Sequence, residues 1–232
     1  MTVADRTYPA RGLHGRVVHS LGLRIVGGAY GVGEALPNED ALGSELGVSR
    51  TVVREAVKVL IGKGLVEVRP KLGTRVRARR SWHLLDPDVL RWQFENVAAT
   101  DDWRELLEVQ ESIGPTAARL AAERHSPVEL MEIQAAFRRL QAALLEPDAF
   151  RTASLDFNEA VFAASRNTLL WHVNAVIRLG LESGSSDTRP VDEDEDEALG
   201  PWQDLVESIA RRDGPGSEKA MRNLLTGRYS SG

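Results

Sequence analysis

The chain has 232 residues, 42% of them apolar and none of them cysteine. That length suits one large or two modest domains, and the missing thiols exclude disulfide frameworks, thiolate zinc sites and cysteine nucleophiles. Net charge is −5, yet residues 1–80 sum to +7 and residues 81–232 to −12, the asymmetry expected of a nucleic-acid-binding module joined to something else.

No run of about 18 apolar residues occurs, and "MTVADRTYPARG" lacks the apolar stretch of a signal peptide, so a cytoplasmic chain with no membrane partner is expected. Leu13, Val17, Leu21 and Ile25 mark one face of a first helix, which "GGAYGVGEALP" ends. Asn38 is placed to cap a short helix over Glu39–Leu46, Gly47 to end it, and Ser49 to cap the next. Two helices so joined form a helix-turn-helix. At about 100° per residue, Val52, Val53, Ala56, Val59 and Leu60 share one arc of the second helix, while Arg50, Thr51, Arg54 and Lys58 share another. A cationic stripe of this kind can enter the major groove, or it can be an ordinary solvated face. "GLVEVRPKLGTRVRARR" then reads as a hairpin with its turn at Pro70–Gly73, which completes a winged helix with Lys71 at the wing tip.

Residues 36–76, "LPNEDALGSELGVSRTVVREAVKVLIGKGLVEVRPKLGTRV", resemble the winged-helix domain of the GntR family of bacterial transcription regulators. The resemblance implies that Arg50 and Arg54 are the main operator-reading side chains, supported by Ser49, Thr51 and the wing; Lys58 of the stripe and Lys71 of the wing tip complete the expected DNA contacts. One departure is Asp40, an acid where a FadR-type member carries a DNA-contacting basic residue.

From residue 81 onward the pattern is helical. "SWHLLDPDVLRWQFEN" places Pro87 in a first turn, and "DDWRELLEVQESIGPTAARLAAERH" continues with a kink expected at Gly114–Pro115. "SPVE" at 126–129 spells a capping box, and further helices are expected over about 147–165, 168–184, 199–212 and 215–227. Six or seven helices make an all-α bundle. The fold class expected is therefore mainly α, a winged helix-turn-helix over 1–80 and a helical bundle over 81–232.

"ELLEVQESIGPTAARLAAER" and "LDFNEAVFAASRNTLL" resemble the FadR-type effector domain (FCD type), and "WHLLDPDVLRW" is similar to the sugar-acid, galactonate-type regulators. The resemblance implies a homodimer, double-stranded operator DNA as partner, and a small-molecule effector in the bundle, commonly a carboxylic acid on a divalent metal. The family's metal positions fall here on Ser154, Asn158, Trp202 and Leu224, and its carboxylate-binding arginine and a nearby glutamate fall on Gln110 and Gly114. Trp and Leu cannot ligate, and neutral Ser and Asn oxygens are weak donors. No metal and no cofactor is therefore expected, and Gln110, Ser154, Asn158, Trp202 and Leu224 become the candidate lining of an effector pocket. On the helix wheel Ser154, Asn158 and Ser165 turn inward while Asp156, Glu159 and Arg166 face water. The histidines, His14, His19, His83, His125 and His172, share no ligand spacing, and "DEDEDE" at 192–197 reads as a solvated loop.

The function expected is a sequence-specific transcription regulator, a repressor of a metabolic operon. Two alternatives stand beside it: a ligand-insensitive regulator whose bundle only dimerises or binds a protein, and a helical-bundle enzyme. The second lacks any Ser-His-acid arrangement, metal set or phosphate loop.

Overall fold

The computed structural model describes residues 12–95, 100–183 and 195–229. The chain divides into two compact units between Asp102 and Trp103. The first contains α1 (Leu13–Val26), α2 (Glu39–Leu46), α3 (Arg50–Gly62), β1 (Val66–Arg69), β2 (Gly73–Val76), a 3-10 turn over Arg79–Ser81 and α4 (Pro87–Glu95).

Local chemistry accounts for the helix-turn-helix. The Asn38 side chain accepts the Ala41 N–H at 2.8 Å, and Ser49 Oγ accepts that of Val52 at 3.4 Å, each meeting a donor that a helix start leaves open. Between them Gly47 turns left-handed at φ 65°, a conformation that a side chain would strain. Helix α3 buries Val53, Ala56, Val57 and Leu60 against Val17, Val18, Leu21 and Ile25 of α1, each larger apolar side chain contributing about 1.5–3 kcal/mol. The expected arc is rotated by a fraction of a turn. Val57 joins the core, and Val52 and Val59 are half-buried at its margin. Leu13, at the start of α1, lies beyond the core and is exposed.

The antiparallel hairpin pairs Val66 with Val76 and Glu67 with Arg75. Val66 and Val76 close the core, whereas Val68 projects past it and is exposed. Helix α4 also belongs to this unit. Its Trp92 ring lies on α1 where Gly22 leaves room, since a Cβ there would meet the ring at 2.5 Å. The Trp92 indole donates to His19 Nδ1 at 2.9 Å. Beside it the ammonium of buried Lys63 reaches Asp86 at 2.8 Å and Asp88 at 2.7 Å. Residues 81–95, expected to open the second domain after residue 80, therefore pack with the first.

The second unit holds most of α5 (Thr100–Arg124), with α6 (Pro127–Ala142), α7 (Pro147–Ala164), α8 (Thr168–Ser183), α9 (Glu195–Ala210) and α10 (Gly214–Tyr229). Helix α5 runs unbroken through Gly114 and Pro115. The glycine serves packing, because a Cβ on it would lie 2.9 Å from Leu225 Cδ1 of α10. At the start of α6 the capping box is complete: Ser126 Oγ accepts the Glu129 N–H, and the Glu129 carboxylate accepts the Ser126 N–H. Phe150 and Phe157 of α7 meet the Trp202 ring of α9 edge-on, with centroids 6.3 and 5.1 Å away. Helix α9 begins at Glu195, so the last three acids of "DEDEDE" are helical rather than looped, as acidic residues at the positive end of a helix dipole can be; the loop expected over 192–194 lies outside the described residues. No described helix is long and apolar enough to cross a membrane.

Candidate nucleic-acid interface and effector site

On α3 the side opposite the core presents Arg50, Thr51, Arg54 and Lys58, all exposed, with Ser49 exposed at the cap. They are differently engaged. Arg50 Nε donates to Glu39 Oε2 at 2.9 Å and its Nη1 lies 3.4 Å from Asp40 Oδ2, while Lys58 pairs with Glu55 at 2.7 Å along its own helix. Arg54 forms no salt bridge among the described residues, although its charge helps to hold the neighbouring Glu55 carboxyl below its ordinary range. Exposed ion pairs such as these contribute little to stability, so Arg50 and Lys58 can exchange their carboxylates for another anion at little cost. The role of Glu39 was not readable from sequence, because nothing local links residues 11 apart across a turn. Lys71 is exposed in the hairpin turn, at φ 64°, a left-handed conformation costing on the order of 1 kcal/mol for a side-chain-bearing residue.

In the second unit Gln110, Ser154, Asn158, Trp202 and Leu224 are all buried. Trp202 and Leu224 are members of the apolar core that includes Phe157. Ser154 Oγ donates back to the Arg151 carbonyl at 2.8 Å, and Gln110, on α5, is also engaged. Asn158 differs. It is only 2% exposed, and neither its amide nitrogen nor its amide oxygen has a hydrogen-bond partner. Ser165 is buried as expected, its hydroxyl donating to the Phe162 carbonyl at 2.6 Å.

Asp156 and Glu159 of α7, and Arg166 just past its end, do not simply face water. Arg178 of α8 binds Asp156 at 2.7 Å, Glu159 at 2.8 Å and Glu182 at 2.7 Å, and Arg166 binds Glu129 at 3.0 Å. The helix wheel turned the two acids away from the core but could not show that α8 brings Arg178 to meet them, and it does not describe Arg166, whose φ of 53° leaves the helix. The family's metal positions do not fit a divalent ion, since Trp202 and Leu224 offer no donor and Ser154 and Asn158 only neutral ones. Among the described residues no group of three or more His, Asp or Glu could hold a metal. His125 is instead set between the carbonyls of Ser126 and Ile209, at 3.2 and 3.1 Å.

Comparison with known proteins joins these two halves. Residues 13–76 match the bacterial regulatory proteins of the gntR family, and residues 105–227 match the FCD domain. The galactonate operon transcriptional repressor of Escherichia coli K12 is 31% identical over 211 residues, which cover 90% of this chain and 92% of that protein. The HTH-type transcriptional regulator YieP of the same strain is 32% identical over 218 residues, 90% of each chain. A solved structure of Lar, which controls the expression of the Listeria monocytogenes agr system, shares the fold with a TM-score of 0.61 and 18% identity, covering 94% of this chain and 95% of that one. The chain thus belongs to the GntR family, with an FCD domain as its helical half, and is a DNA-binding transcription regulator and not an enzyme.

Proposed function

We propose that this regulator is a homodimeric, operator-specific repressor whose α3 enters the major groove and whose operator affinity is set by a small molecule held in the helical half. The observation that carries the first part is Arg54, exposed on the side of α3 opposite the core and held in no salt bridge among the described residues. An arginine so presented can bond a guanine edge in bidentate fashion. Arg50, steadied by Glu39 and Asp40, reads beside it. Ser49 and Thr51 contact phosphate or base at the start of the helix, and Lys58 and Lys71 contact phosphates. DNA binding is assigned to residues 1–80, with α4 packed on that unit, and effector binding and dimerisation to the residues beyond. A dimer is favoured because one winged helix spans few base pairs and paired half-sites supply affinity and specificity. The repressor reading draws support from the name of the Escherichia coli galactonate relative.

For the effector, the supporting observation is the unpartnered Asn158 amide. Leaving a buried polar group unmet costs about 1–3 kcal/mol, and a ligand offering both a donor and an acceptor removes that penalty. Together with Gln110 in place of the family's arginine and the metal-incompatible positions, this favours a ligand recognised through neutral hydroxyl, carbonyl or amide groups over a metal-held carboxylate.

Selecting operator sequences with the purified protein and repeating the titration with variants tests the groove assignment. Arg54→Ala should lose about 1–3 kcal/mol at the operator and relax preference at one base pair, whereas Lys71→Ala should weaken all sequences alike and lower the salt slope by about 1. Unchanged sequence preference in Arg54→Ala removes α3 from the groove.

A further inference from the structure

The wing carries a second cationic site, distinct from the stripe on α3. Residues 33–36 run along the free edge of β2: Gly33 N–H donates to the Val76 carbonyl at 2.8 Å and Leu36 N–H to that of Thr74 at 2.8 Å, with a bridge between Ala35 and Arg75. The paired Val66 and Val76 turn into the core. By the two-residue period of a strand, Glu67 and Arg75, with Arg69 and Arg77, belong to the opposite face. Over that face lies a hollow of about 500 Å³, lined by these four charged residues together with Val32 and Leu72.

The charges in the hollow do not balance. Glu67 is taken by Arg69, whose Nε donates to it at 2.6 Å. Arg75 gives its Nη1 to the Gly33 carbonyl at 2.6 Å, while its Nε is buried with no acceptor. The Arg77 side chain has no acid partner among the described residues; its backbone alone is engaged, through Leu65 and the Trp82 indole. Two guanidinium charges thus stand without an acid partner among the described residues around a concave space. Val32 and Leu72, 67% and 51% exposed, supply apolar flanks. The volume falls within the range of small-molecule sites, about 300–1,000 Å³.

We propose that this hollow binds a phosphorylated small molecule of nucleotide size. A terminal phosphate carries about −1.5 to −2 charges at neutral pH, which matches the charges of Arg75 and Arg77, and the planar fork of arginine suits phosphate oxygens. Val32 and Leu72 then cover the apolar part of the ligand. A duplex backbone is the less suitable occupant, because its phosphates lie on a convex surface and meet projecting side chains, whereas these arginines line a recess.

Titration calorimetry on the full-length protein with pyrophosphate, ADP and citrate tests this, with Trp82 fluorescence as a second readout because its indole donates to the Arg77 carbonyl. Pyrophosphate and ADP should each bind saturably, one per chain. Arg77→Gln, which removes a side chain without a structural partner, should weaken both about tenfold or more, and Arg75→Gln likewise. The melting temperature and ligand-free operator affinity of Arg77→Gln should match those of the parent. Absence of saturable phosphate binding, or equal binding in Arg77→Gln, overturns the site. Citrate binding as tightly as pyrophosphate overturns the ligand class. Loss of operator affinity in Arg77→Gln with a shallower salt slope reassigns the hollow to the DNA backbone and overturns the proposal too.

Discussion

Glu129 connects sequence to pH dependence at the scale of one residue. It occupies the third position of α6, where its carboxylate accepts the Ser126 N–H at 2.6 Å and the Arg166 guanidinium at 3.0 Å. The arginine first, and the backbone N–H with it, hold its carboxyl at about 2 against an ordinary 4.5. Because the folded value is the lower one, protonation favours the unfolded chain. The stabilisation is fully present above about pH 4.5 and drains away as pH falls toward 2. Glu129→Gln keeps the side-chain length and removes the titration. Scanning calorimetry between pH 5 and pH 3 should therefore show a flatter fall in melting temperature for the variant than for the parent. Parallel curves would mean that the Arg166 bond is not made in solution. Arg166 itself sits at φ 53° just past the end of α7, a position where the chain commonly turns left-handed.

At the scale of elements, the docking of α4 rests on an ion cluster. Lys63, at the end of α3, is nine-tenths buried and meets both Asp86 and Asp88, while Asp86 also caps α4 by accepting the Asp88 N–H at 2.9 Å. Removing one member of a buried ion group leaves the rest uncompensated, at about 3–5 kcal/mol. Lys63→Met should lower the stability of the first unit by that order in urea unfolding, and adding Asp86→Asn with Asp88→Asn should restore most of it. Failure of the triple variant to recover would locate the loss in packing against Trp92, not in charge. The same cluster shows where a linear reading stops. The caps at Asn38, Ser49 and Ser126, the left-handed Gly47 and the cationic stripe of α3 are written within a few residues of where they act, and all were legible. Lys63 and Asp86 are 23 positions apart, Arg178 gathers acids from α7 and α8, and the hollow on the wing needs residues 32–33 beside a hairpin that begins at Val66. Such contacts exist only once tertiary packing has brought the segments together, so the boundary placed at residue 80 missed α4, and neither the partners of Arg50 nor the arginine hollow could be seen. Of the five residues expected to line an effector pocket, the helix wheel turned Ser154 and Asn158 inward, and Gln110, Trp202 and Leu224 came from the resemblance alone; that Asn158 keeps an unmet amide depends on hydrogen bonds the wheel does not describe.

Regulation belongs to the whole molecule, because an effector in the helical half alters operator affinity only to the extent that it binds two states of the protein differently. Asn158 offers a way to separate that coupling from folding. An unmet amide in a core is a local destabilisation, and replacing it by an apolar side chain of similar size can remove about 1–3 kcal/mol of penalty. Asn158→Leu should therefore melt at a higher temperature than the parent while binding operator DNA as tightly in the absence of ligand, since the change lies far in sequence from α3 and the wing. With an effector found by thermal-shift screening of neutral polyols, lactones and amides, the parent should release its operator and Asn158→Leu should not. If the variant is less stable, the amide has a partner in solution, a bound water being the simplest, and the ligand assignment loses its support. If the variant is more stable yet still responds to the effector, the ligand is held elsewhere in the bundle. Only the combination of raised stability, intact operator binding and lost response ties this one amide to the control of DNA binding.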